Sequence, residues 1–149
     1  MMNLSQPIRI RKKYTRYTDG MVHPMVKGEI CWKQNKEPIT LLLDSGAYYT
    51  ILSKKYLSLL GVDLMDLTKI FSRPIQGAFG KPQLVDFFKM KLIIEGHEIE
   101  IPIGFIDTSW NLLGRHPAFL IFSPVVFVEH EERFVLEYKQ LSNGRKNEF

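Results

Sequence analysis

The chain has 149 residues, 45% of them hydrophobic and 24% charged, the ordinary balance of one globular domain with its own apolar core. Its longest apolar run, Ala118 to Val128, is interrupted by Ser123 and Pro124 and is too short for a membrane-spanning helix. The net charge of +4 sits in the first twenty residues, where Arg9, Arg11, Lys12, Lys13 and Arg16 face Asp19 alone, and the rest of the chain is neutral.

The sequence therefore predicts a basic, flexible tail over residues 1–24, a domain over 25–140 and a short tail over 141–149. Met1 to Pro7 lacks the charged start and apolar stretch of a secretory signal. Cys31 is the lone cysteine, so no intrachain disulfide can form and a cytoplasmic location is expected. From Met25 onward the pattern is strand-like. Met25 to Trp32 and Ile39 to Leu43 read as two strands around the turn residues Gln34 to Pro38. Thr50-Ile51-Leu52 is a short β-type run. Ser53 then reads as a helix cap, Lys54 to Leu60 as two helical turns, and Gly61 as their stop. Ile70 to Lys81 reads as a hairpin with Gly77 and Gly80 at its tip. Leu84 to Ile94 and Glu98 to Ile106 are strands joined at Glu95-Gly96-His97. A helix is expected to begin near His116-Pro117, and Val125 to Val128 and Phe134 to Tyr138 form a last hairpin. Many short strands with one or two short helices make an all-β fold.

The chemistry concentrates at Asp44. It follows Leu41-Leu42-Leu43, where a carboxylate is costly unless it has partners. The small residues Ser45, Gly46 and Ala47 let another backbone approach. Asp-Ser-Gly alone is equally compatible with a strand-end aspartate capping a turn. Two further segments change that reading. Ile75-Gln76-Gly77-Ala78-Phe79-Gly80 is a glycine-bearing hairpin tip, and Asn111-Leu112-Leu113-Gly114-Arg115 is an apolar-apolar-Gly-Arg segment ahead of the expected helix. In this order, and separated by strands, the three resemble the active-site loop, flap and second signature of the retropepsin-like aspartic proteases over roughly residues 25–138. The C-terminal hairpin makes the chain more similar to cellular and bacterial relatives than to the short viral enzymes.

The resemblance implies an acid-protease barrel, one lobe per chain, with Asp44 catalytic. Ser45 would join the network linking two active-site loops, Gly46 would contact the substrate backbone, and residues 75–80 would close over an extended peptide. Two carboxyl groups about 3 Å apart share a proton in this chemistry. Asp19, Asp63, Asp66, Asp86 and Asp107 lack both the apolar lead-in and the small residues after, so a second copy must supply the second Asp44. A homodimer is expected, with peptide substrate and with neither cofactor nor metal. In well-known viral members an acidic residue after the Asp-Thr-Gly-Ala loop pairs with the arginine of the second signature; Tyr48 stands there instead, which leaves Arg115 in need of another partner.

Other motifs carry less. His130-Glu131-Glu132-Arg133-Phe134 lacks the second histidine of a zinc-protease helix, and Gly77 to Lys81 is too short for a phosphate-binding loop. Ser45 has no nucleophile-elbow frame. Cys31 reads as a core residue. Residues 9–17 interleave cations with Tyr14 and Tyr17, a composition compatible with nucleic acid, an acidic surface, a disordered leader, or a leader removed by the protease itself. The alternative to an enzyme is a catalytically silent module of the same fold, using that basic segment for contact.

Overall fold

The computed structural model describes residues 6–76 and 80–139. Gly77, Ala78 and Phe79 of the expected flap, and the expected tail over 141–149, lie outside the described residues. In chain order the strands are β1 (Ile8–Lys13), β2 (Thr15–Arg16), β3 (Val22–His23), β4 (Met25–Trp32), β5 (Asn35–Leu43) and β6 (Thr50–Ser53). After helix α1 (Lys55–Leu60) come β7 (Lys69–Ile75), β8 (Gln83–Ile94), β9 (His97–Ile106), β10 (Leu112–Leu113), β11 (Val125–Val128) and β12 (Arg133–Tyr138).

The barrel follows from where these strands must hide their apolar residues. On β5, Ile39, Leu41 and Leu43 are buried while Thr40 is exposed, the period-2 pattern of a strand with one face on a core. The strand order β4-β5-β10-β6-β9-β8, with β8 pairing back onto β4, closes a six-stranded barrel, and β7 extends from β8. Val26, Ile30, Leu41, Leu52, Leu92, Ile94, Ile99, Ile101 and Ile103 fill it, each with no more than 2% of its surface exposed. Burying each such side chain contributes about 1.5–3 kcal/mol, so this cluster outweighs every surface ion pair in the molecule. Two pairings are parallel, β10 with β5 and β6 with β9, and they bring chain segments distant in sequence side by side.

Helix α1 starts one residue later than expected, with Lys54 rather than Ser53 at the N-cap position; Ser53 ends β6 as a buried strand residue, and its Oγ accepts from Lys55 N at 3.4 Å. Gly61, at φ 69°, stops it in the left-handed conformation that glycine adopts without strain. The helix expected at His116-Pro117 is a π-type turn over Arg115–Phe119, broken by extended geometry at His116.

Residues 8–23, expected as a tail, contain three strands. β1 pairs antiparallel with β12, and β12 with β11, in a second sheet of order β1-β12-β11. Ile8 and Ile10 alternate with Arg9 and Arg11, a period too brief to stand out beside so many cations. Their inward sides meet buried Phe134, Leu136 and Tyr138, which join the barrel core. The turn before β9 fastens the sheet. Glu95 accepts from Lys27 N at 2.9 Å through Oε1 and pairs with Lys12 Nζ at 2.9 Å through Oε2.

His97 completes this junction, stacking on Tyr138 with centroids 3.9 Å apart and meeting Phe122 edge-on at 5.7 Å. Burial against these rings pushes its pKa below the usual 6.5. Just below pH 6.5 the unfolded chain therefore binds more protons than the folded one, so stability is full above 6.5 and falls as the pH drops below it. His97→Phe keeps a ring on Tyr138 and removes the proton. Its urea midpoint is expected to fall less than the wild type's between about pH 7.5 and about pH 5.

Candidate active site

Asp44 stands at the end of β5, where the chain leaves the barrel. The parallel pairing of β5 with β10 sets Leu42 beside Leu112 and Leu43 beside Leu113. Asp44 N donates to Leu113 O at 3.1 Å, continuing that ladder by one residue. The following turn folds back on the carboxylate. Ala47 N donates to Asp44 O at 3.1 Å, and Gly46 N donates to Asp44 Oδ1 at 2.9 Å. One carboxylate oxygen is thereby fixed by the backbone, and the side chain is half-buried at the mouth of a cleft.

The segment after β10 is laced to the same turn. Arg115 N donates to Ala47 O at 2.9 Å and His116 N to Tyr48 O at 2.8 Å. Gly114 N donates to Oγ1 of Thr50, a fully buried hydroxyl, at 3.1 Å. A Cβ on Gly114 would lie 2.3 Å from Tyr49 O, so only glycine admits this approach. Thr50→Val keeps the volume but strands the Gly114 N–H. It is expected to destabilise the fold by about 1–3 kcal/mol, with Thr50→Ser near wild type, as denaturant midpoints would measure.

Arg115 has its partner in Tyr48, at the position where an acidic residue is missing. Its guanidinium carbon lies 5.7 Å from the Tyr48 ring centroid, a cation–π contact. His116 stacks on the same ring, with centroids 5.2 Å apart and planes within 5°. A charge-free aromatic thus holds both residues after Gly114, and no buried ion pair is needed at this corner.

The cleft beside Asp44 has a volume of ≈ 740 Å³. Ile75, Gln76 and Gly80 line it together with Val85, Ile106 and Leu112. Tyr49, also in the lining, packs with Phe71 and Phe87, with centroids 4.8–5.7 Å apart. Among the described lining residues Asp44 is the one carboxylate and Lys81 the one amine. The fold thus brings Asp44, Gly46, Ala47, Ile75, Gln76, Gly80 and Leu112 to one cavity, with Ser45 exposed on the loop above it. Asn111 lies elsewhere. Its Oδ1 accepts from Ser53 N at 2.9 Å and its Nδ2 donates to Thr40 O at 3.4 Å, so it ties β6 to β5 behind the site. Sequence reading missed the lining residues Val85 and Ile106 and the anchor Thr50. Val85 and Phe87 share one face of β8 by alternation, which was visible; that this face meets Asp44 was not.

A closed six-stranded barrel with an Asp-Ser-Gly turn at the parallel β5–β10 seam is the retropepsin-like fold. The crystal structure of a retropepsin-like aspartic protease from Rickettsia conorii is similar to this chain, with a TM-score of 0.60 at 21% identity, covering 89% of this chain and 94% of that one. No protein-family model and no curated protein sequence matches the chain.

Proposed function

We propose that the protein is an aspartic endopeptidase that acts as a homodimer, each copy contributing Asp44. The observation that carries this reading is the carboxylate held by the Gly46 N–H at the mouth of a mostly apolar cleft. The remaining described aspartates have other work or other places. Asp19 accepts from Met21 N, Asp63 from Met65 N and Asp86 from Ser72 Oγ, while neither Asp66 nor Asp107 borders this cleft. Across a two-fold axis the two Asp44 carboxyl groups would share one proton. The ionised one takes a proton from water as its oxygen attacks the scissile carbonyl. The protonated one donates to the carbonyl oxygen, giving a neutral tetrahedral diol, and collapse with proton transfer to the nitrogen releases the amine.

Residues 75–80 fit the role of a flap, since Ile75, Gln76 and Gly80 border the same cleft as Asp44. Substrate would lie extended between this hairpin and the Asp44 loop. The test is cleavage of a peptide library by wild type and Asp44→Asn. Cleavage by wild type alone supports the assignment, and equal cleavage by both overturns it. No cleavage by either, under conditions where sedimentation gives a dimer, favours a silent binding module.

A further inference from the structure

The outer face of the β1-β12-β11 sheet, on the side away from the barrel, has an uneven charge. Register places Arg9 beside Glu137, Arg11 beside Val135, and Lys13 beside Arg133. The next column over, on β11, sets Val126 beside Val135 and Val128 beside Arg133, so it adds no charge. Arg9 is already neutralised by a fork onto Glu137, both bonds within 3.2 Å. Arg11, Lys13 and Arg133 are exposed and have no ion-pair partner among the described residues. β1 is also the edge of its sheet. Its open side therefore combines unpaired backbone groups with cations repeating at every second residue, about 6.6–6.8 Å apart.

We propose that this edge takes an extended acidic polypeptide as a fourth strand, its alternate Asp or Glu side chains facing Arg11 and Lys13. Directly opposed residues on paired strands have Cβ atoms about 4.5–5.5 Å apart, within ion-pair reach for these long side chains. The same cations reject the edge's commonest wrong partner, the β1 of a second copy, since pairing would oppose like charges. Nucleic acid fits less well. The face carries no aromatic ring for base stacking; Tyr14 is buried and Tyr17 packs against His23 and Trp110. No residue of β1 lines the Asp44 cleft, so the site would dock a substrate or partner through a segment other than the one cleaved.

The test is fluorescence anisotropy of a short labelled peptide of alternating Glu and Thr, using the full chain carrying Asp44→Asn so that the probe survives. Binding is expected at low salt and is expected to weaken about tenfold or more with Arg11→Glu or Lys13→Glu, less with Arg11→Gln. A Gln/Thr peptide and a peptide N-methylated at alternate backbone nitrogens are both expected to fail. Equal binding by either of those, tighter binding of a single-stranded oligonucleotide of the same charge, or no binding of the Glu/Thr peptide would each overturn the proposal.

Discussion

Asp44→Asn is expected to lower peptide cleavage by at least about 10³-fold while leaving the barrel folded. The amide is nearly isosteric with the carboxylate and can still accept from Gly46 N, so the turn has no reason to open. What disappears is the ability to hold the single negative charge that activates water. Circular dichroism and denaturant midpoints close to wild type, beside absent cleavage, would separate loss of chemistry from loss of structure. The proposed shared site makes a sharper demand. When wild type and Asp44→Asn chains are co-refolded, activity should fall as the square of the wild-type fraction, because a mixed dimer lacks the second carboxylate. A linear fall would mean that each chain works alone and would refute the dimeric dyad.

Gly114→Ala is expected to cost about 3 kcal/mol of stability, with activity lost beyond what unfolding accounts for. The added Cβ would meet Tyr49 O at 2.3 Å, Tyr49 C at 2.4 Å and Tyr49 N at 2.9 Å, all backbone atoms that cannot rotate away. Relief requires the Gly114 segment to withdraw from the Asp44 turn, which strains the Gly114–Thr50, Arg115–Ala47 and Leu113–Asp44 hydrogen bonds together. Gly80→Ala is the control. A Cβ there meets nothing within 4 Å, and its denaturant midpoint is expected to shift by less than about 0.5 kcal/mol. Equal shifts in the two variants would show that close approach at Gly114 is not what the glycine is for.

The strands were legible because their burial is one-sided. Met25 to Trp32, Thr50 to Leu52 and the hairpin through Glu95-Gly96 fall where alternation and turn residues put them. The N-terminal segment was not, because Ile8 and Ile10 are outnumbered by cations. Only the packing of Phe134 and Leu136 against the barrel reveals that β1 completes a sheet. The same limit applies at the site. The Asp-Ser-Gly-Ala loop and the Leu-Leu-Gly-Arg segment announce themselves by composition, and the parallel β5–β10 pairing joins them. Nothing local in Val85 or Ile106 says that they line the cleft, since an apolar strand residue looks the same whichever cavity it faces. Arg115 is the instructive case. A missing acid suggested a missing partner, but a tyrosine ring offers the guanidinium a face without a charge.

The two-residue strand β10 has a bearing on when the molecule becomes complete during synthesis. Asp44 emerges from the ribosome early, yet its backbone N–H finds its acceptor in Leu113, and the loop after it, beyond its own local bonds, is tied to Gly114, Arg115 and His116. A nascent chain that has not yet extruded these late residues carries the carboxylate on an unanchored loop. The order of translation thus leaves the Asp44 turn without its anchors to the barrel until the last barrel strand, β10, has been made.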